Sequence, residues 1–309
     1  MTPGFRSLHG PVLICALLWG SAFPAIKTVY GHWEAQGLER TVPVVLLFAG
    51  IRFAVAGAGL LCAARGLKEE MARTSWKRLA FLALTQTFVQ YVFFYQAVAL
   101  SSASLTALLV ATGSFWWVLL APVFTDEPKP GAGQWLALVI GGMGVTLAVY
   151  EPGAGVGQPV LGAILMMLAT GSGALGVISF RAIKPTMSAR NATGLSLLAG
   201  GLALCVCGCG ALPELEGMFD LRVIVLTVWL AFVSAAAFSL WNYLSTQHPV
   251  GVLASYRFLI PVCGVLEALV LLPGESAGWG LVVGGGLVLT SLVMANRTGR
   301  PRKEKRPAA

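Results

Sequence analysis

Apolar residues in this chain fall into ten long runs, at roughly 11–30, 42–64, 79–98, 103–124, 134–150, 160–180, 191–212, 223–244, 250–272 and 277–296. A bilayer core about 30 Å thick takes about 20 helical residues to cross, so each run predicts a spanning helix. The third and fourth runs are joined only by Ala99 to Ser102, and the last two only by Pro273-Gly274-Glu275-Ser276. Links so short demand antiparallel neighbours. The pattern therefore predicts an all-α integral membrane protein of ten transmembrane helices. Composition agrees: 57% hydrophobic residues, 11% charged residues and a mean hydropathy of +0.79 exclude an ordinary soluble domain.

The first run is organised around Leu18-Trp19-Gly20-Ser21-Ala22-Phe23-Pro24-Ala25-Ile26-Lys27. Pro24 removes a backbone donor in mid-helix and frees a carbonyl near residue 20. Gly20, Phe23 and Lys27 share one face by their spacing. That face suits a polar cavity, or close helix packing with a lysine that reaches the nearer surface.

The formal charge of +8 is explained by where the basic residues sit. With the N-terminus inside, the inner segments carry Arg6, then Arg65, Lys68, Arg73, Lys77 and Arg78, then Lys129, then Arg181, Lys184 and Arg190, and finally Arg297, Arg300, Arg302, Lys303, Lys305 and Arg306. Only Arg40 and Arg222 lie outside, and Lys27, Arg52 and Arg257 fall within runs. This bias predicts cytoplasmic termini in a multi-pass protein of the plasma membrane, such as a bacterial inner membrane. The tail from Arg297 to Arg306 is a site for anionic lipid of the bilayer. Nucleic acid binding has no support. The N-terminus has the basic and apolar regions of a signal peptide without a small-residue cleavage site, so it is read as an uncleaved first span.

Several motifs mislead. Cys205, Cys207 and Cys209 suggest a metal cluster, but on a helix Cys207 points away from the other two and no histidine is near. Gly171-Ser172-Gly173-Ala174-Leu175-Gly176 has dinucleotide-loop spacing inside an apolar run with no strand before it, which favours close helix packing. Asn191-Ala192-Thr193 matches a glycosylation acceptor on the predicted inner side, where it stays unmodified. His9, His32 and His248 form no ligand set. Neither a metal nor a cofactor is expected, and no phosphate-cradling loop supports ATP-driven pumping.

The runs form two groups of five that resemble each other. Tyr95 to Glu127 and Tyr243 to Glu275 keep an offset of 148, each with an aromatic residue, a small-residue link, an apolar run and an acidic turn. Because five is odd, a duplicated unit enters the membrane from the opposite side, which predicts an inverted repeat with a substrate site near the midplane. The expected units are 1–150 and 151–296, followed by the basic tail 297–309.

At the level of motifs, Trp19-Gly20-Ser21-x-Phe23-x-x-Ile26-Lys27, Arg52-Phe53, Tyr95-x-Ala97-x-x-Leu100-Ser101-Ser102-Ala103-Ser104, Glu127 and Gly144-Val145 resemble the first repeat of the EamA family in the drug/metabolite transporter superfamily. The second half is similar to that family's other repeat through Leu240-Trp241-Asn242-Tyr243, Pro261, Glu275 and Gly284. Gly113-Ser114 departs from the resemblance, standing where the first repeat usually has proline, and Asp126-Glu127-Pro128-Lys129-Pro130 makes an unusually stiff acidic turn. The resemblance implies a ten-helix transporter with both termini inside, exporting amino acids, other small metabolites or drugs.

Polar groups inside the runs nominate the site. A charge at mid-membrane costs about 2.5–3.5 kcal/mol even on the lenient scale. Arg52, near the middle of its run, could hold a substrate carboxylate or freed carbonyls of a broken helix, and is favoured as a structural tie or gate. Arg257 is expected to reach the cytoplasmic surface. Glu267, the one carboxylate clearly within a run, is the candidate for proton coupling or for binding a substrate amine, the alternative being a carboxylate that reaches water at the outer vestibule, and Lys27 joins this gating set. The third run is richest in neutral polar groups, and Gln86, Gln90, Tyr91 and Tyr95 are candidate substrate contacts. Trp241, Asn242 and Tyr243 supply a comparable group from the other half, with Trp19 and Phe23, and also Trp116 and Trp117, as an apolar wall. Such a cavity suits a small zwitterionic or amphipathic solute. The function expected is secondary transport by alternating access, most of all amino-acid export. A hydrophobic drug or cation is the alternative, and a channel or an intramembrane enzyme is the alternative of another class. An enzyme would need a nucleophile with its base, a metal set or paired carboxylates, and the runs contain none.

Overall fold

The computed structural model describes residues 8–124, 129–150, 158–247, 253, 256–257 and 259–298, and these are helical with connecting turns. Glu127, His248, Arg6 and the basic tail beyond residue 298 lie outside the described residues. The helices are α1 (His9–Ala35), α2 (Val42–Cys62), the short α3 (Leu67–Arg73), α4 (Trp76–Ala83), α5 (Gln90–Leu100), α6 (Ala103–Leu109), α7 (Gly113–Phe124), α8 (Ala132–Val149), α9 (Pro159–Ile183), α10 (Ala189–Cys207), the one-turn α11 (Leu215–Met218), α12 (Leu221–Gln247), α13 (Leu259–Leu271) and α14 (Trp279–Thr298). Among the described residues seven helices are long and apolar enough to cross a membrane: α1, α2, the α6–α7 segment, α8, α9, α10 and α12. α13 and α14 are shorter apolar helices. The third run became helical from Trp76 to Leu100 but is broken by a π-helical stretch, Leu84–Val89.

The exterior is apolar. Val139, Met143, Val225, Val228, Phe232 and Val270 are each more than half exposed, as a lipid-facing surface requires and a water-facing one does not. Inside, one core cluster joins α1, α2, α5, α10 and α12 through Trp33, Phe48, Phe53, Tyr95 and Leu204. A second joins α5, α6, α8, α9 and α14 through Leu105, Leu109, Met166 and Val288.

Lipid tails are as apolar as leucine, so helices associate here through close packing rather than hydrophobic gain. Glycine permits that approach. On α2, a Cβ at Gly50 would fall 2.6 Å from the Cys205 amide and 2.8 Å from the Gly201 carbonyl of α10. On α10, one at Gly201 would fall 2.5 Å from the Ala54 amide and 2.9 Å from the Gly50 carbonyl. Likewise Gly57 faces Leu198 and Gly194, while Gly208 faces Leu47 and Pro43. Each contact recurs when 151 is added to the α2 numbers and the helices are exchanged. At the α8–α14 crossing, Gly144 meets Gly284 and Val288, and Gly284 meets Gly144 and Ala148, an exchange with a shift of 140.

Helix irregularities are satisfied locally. α1 continues through Pro24 without interruption, and one turn on Thr28 Oγ1 donates back to the Pro24 carbonyl at 2.9 Å. The Thr85 carbonyl in the π stretch accepts from Ser172 Oγ of α9 at 2.7 Å. The α6 N-terminus is capped twice: Ser102 Oγ accepts from the Leu105 amide, and Glu275 Oε1 accepts from the Ser104 amide at 2.7 Å.

Candidate functional site

A cavity of about 900 Å³, its open mouth included, lies between the helices. Trp19, Ala22 and Phe23 come to it from α1, Arg52 from α2, Gln86 from the π stretch, and Gln90, Tyr91 and Phe94 from α5. Val110 comes from the 3-10 turn Val110–Thr112 that separates α6 from α7. The other wall is Ala169, Thr170, Gly173 and Val177 of α9, Phe238 and Trp241 of α12, Arg257 of the turn before α13, and Ile260.

Local sequence explains how the amides reach this space. A π-helical stretch rotates the side chains that follow it and is a frequent mark of a functional position. Gln86 lies within it and Gln90 directly after it. Both need room against α9, and the glycine-rich stretch supplies it. A Cβ at Gly173 would fall 2.6 Å from Gln90 Oε1, and one at Gly176 would fall 2.7 Å from Gln86 Cβ. Thus the glycines of the Gly171–Gly176 motif are seats for side chains: those of Gln86, Gln90 and, at Gly171, Trp116.

Aromatic rings make the apolar wall. Trp19 stands 5.5 Å from Trp241 and 5.4 Å from Phe238 by ring centroids, and Phe23 stands 6.0 Å from Phe94.

Arg52 is 3% exposed and joins three helices. Its Nε donates to the Leu230 carbonyl at 3.1 Å, its Nη2 to Ser234 Oγ at 2.8 Å, and its Nη1 to the Tyr95 hydroxyl. The guanidinium also lies 4.6 Å from the centroid of the Phe53 ring. Arg257 lines the cavity instead of reaching the surface as its position predicts, because the chain before α13 forms a turn at Tyr256 and Arg257 rather than an unbroken helix.

Of the sequence candidates, then, Trp19, Phe23, Gln86, Gln90, Tyr91, Trp241 and Arg52 come together around one cavity. The others do not line it. Tyr95 is fully buried behind it as the partner of Arg52. Asn242 is buried against α10, where its Nδ2 donates to Thr193 Oγ1 at 2.8 Å. Tyr243 is 54% exposed beside an outer groove that includes Leu60 and Phe232. Trp116 donates to the Met167 carbonyl, and Trp117 packs below Arg181. Lys27 lies beyond the cavity toward Glu34, Arg40 and Glu275. Glu267 sits at the α1–α13 crossing, its Oε1 2.8 Å from where a Gly20 Cβ would be and without a hydrogen-bond partner. Sequence reading missed Val110, Thr170, Gly173 and Phe238. Gly173 alone carried a signal, as part of the glycine motif.

Residues 11–150 match the family model described as EamA-like transporter family. Over those residues, a little under half of the chain, it is similar to the EamA-like transporter family, which falls in the drug/metabolite transporter superfamily. A solved structure titled "Crystal structure of protein" is similar over 94% of this chain and 97% of that chain, with 17% sequence identity and a TM-score of 0.60. That likeness is one of fold, over nearly the whole chain. No curated protein matches the chain.

Proposed function

We propose that this protein is a secondary transporter that carries a small metabolite, an amino acid in the first instance, across the plasma membrane by alternating access between two inverted five-helix halves. The observation that carries this reading is the cavity itself, walled by α1, α2 and α5 on one side and by α9, α12 and Arg257 on the other. A site built jointly by two units opens to either side when they rock against each other.

The exchange symmetry of the glycine crossings supports the repeat. Contacts that recur after two helices are swapped are those of a two-fold axis running between them. A shift of 151 relates α2 to α10, and it also carries Gly20-Ser21 onto Gly171-Ser172. Gly20 packs on Gly264 and Gly171 packs on Trp116, and 116 and 264 differ by the 148 of the sequence repeat. The glycine motif in α9 therefore corresponds to the Trp19-Gly20-Ser21 stretch of α1.

Cytoplasmic termini are proposed from the distribution of Lys and Arg, export from the family resemblance, and Glu267 as the candidate proton-coupling group from its place as a carboxylate within an apolar run. The test is counterflow in proteoliposomes loaded with amino acids, with Gln90→Ala and Glu267→Gln beside the wild type. Saturable counterflow weakened by Gln90→Ala supports the reading. Absence of counterflow for every amino acid in folded protein overturns the substrate class.

A further inference from the structure

We infer that the solute is held by a carboxylate at Arg257, and that the cavity recognises this negative head rather than an ammonium group. The inference rests on the transporter reading and names the part of the substrate that the site selects.

Two guanidinium groups line the cavity and they differ in one respect. Each nitrogen of Arg52 already has a protein partner, at Leu230, Ser234 and Tyr95. Arg257 has no hydrogen-bond or ion-pair partner among the described residues, and no carboxylate is among the lining side chains. Two described carboxylates of α13 and the turn after it are placed elsewhere: Glu267 lies at the α1–α13 crossing against Gly20, and Glu275 caps α6. An unpaired guanidinium in a largely apolar chamber is a demand for an anion, and its planar fork fits a carboxylate.

The backbone makes room for it. A Cβ at Gly113 would fall 3.1 Å from Arg257 Nη2, so a larger residue there would crowd the guanidinium. The place related to Gly113 by the 148 offset holds Pro261. Gly113 is the position at which the first half departs from its resemblance, and the departure lies directly against the free arginine. Around it, the rings of Trp19, Phe23 and Trp241 offer an apolar wall, while Gln86 and Gln90 offer neutral amides. A cation meets two positive charges here and no negative one. An amino acid enters by its carboxylate, with its ammonium served only by amide or hydroxyl oxygens, and a monocarboxylate lacking the amine meets the same requirement.

The experiment is counterflow of labelled phenylalanine in proteoliposomes, with unlabelled phenylalanine, 3-phenylpropanoate and phenylalaninamide as competitors. 3-Phenylpropanoate is expected to compete within about threefold of phenylalanine, and phenylalaninamide at least about tenfold more weakly. Arg257→Gln is expected to abolish that ranking and Arg257→Lys to retain it in part. Equal competition by phenylalaninamide in the wild type overturns the inference with no variant needed, and so does an unchanged ranking in Arg257→Gln. If phenylalanine shows no saturable counterflow, the amino-acid reading falls on its own. The inference is then decided by tryptophan fluorescence on titration with 3-phenylpropanoate, since Trp19 and Trp241 line the cavity. A saturable change lost in Arg257→Gln upholds it, and no change in the wild type overturns it.

Discussion

Replacing Arg52 by lysine keeps the charge and removes the fork. The arginine places three nitrogens on three acceptors, Leu230 O, Ser234 Oγ and Tyr95 OH, and so ties α2 to α12 and α5. A lysine ammonium on its stem reaches one of these positions, which leaves about two bonds unmade. Hydrogen bonds to charged groups are worth about 1.5–3 kcal/mol each. The Ser234 hydroxyl already donates to the Leu230 carbonyl at 3.0 Å, and that contact survives the substitution. A net loss of about 3 kcal/mol follows, near the lower bound for two such bonds. For a chain of this size that lowers the melting temperature by about 5 °C. The assay is the loss of the monodisperse peak on heating detergent-solubilised protein, for Arg52→Lys, Tyr95→Phe and the double variant. The double variant should lose less than the sum, because both substitutions break the same bond. If Arg52→Lys melts within about 1 °C of the wild type while counterflow is lost, Arg52 is a solute ligand and not a helix tie.

Three further outcomes are expected. Gly57→Ala forces a Cβ into the Leu198 backbone of α10 and should cost about 1–3 kcal/mol, whereas Gly59→Ala, inside the same helix with nothing within 4 Å of its Cβ position, should be stabilising by about 0.4–1 kcal/mol; thermal melting compares them. Gly173→Val pushes against Gln90 Oε1, the far end of a flexible side chain, so the protein should fold while counterflow falls about tenfold. At the end of α1, the amide of Val223 first, and His32 at 2.6 Å next, hold the Asp220 carboxyl below its usual value. A carboxyl depressed by folding stabilises at pH above its ordinary value and loses that contribution as pH falls through the depressed one. Melting of the wild type and Asp220→Asn, compared from neutral to strongly acid pH, should therefore differ at neutral pH and converge in acid.

The membrane-crossing runs were legible because a bilayer imposes one requirement, a length of apolar helix, that can be counted along a chain. The runs at 42–64 and 160–180 became α2 and α9 with ends shifted by a few residues. The π stretch at Leu84–Val89 and the 3-10 turn at Val110–Thr112 were not legible, since their stability depends on partners from other helices, such as Ser172 and Thr170 of α9.

The site divides in the same way. Sequence alone determined that the polar groups of the apolar runs must find protein or water, and so nominated Gln86, Gln90, Arg52 and Asn242 together. It could not separate them, because an amide is satisfied equally by a cavity or by a hydroxyl on the next helix, as Asn242 is by Thr193. The glycine motif was readable as close packing, but what it packs against, the side chains of Gln86 and Gln90, belongs to residues some 90 positions away. Arg257 shows the limit most plainly. Its charge and depth are properties of the chain, but a long side chain can turn toward the surface or into the interior. Only the turn before α13 and the bare backbone at Gly113 decide that it faces the cavity.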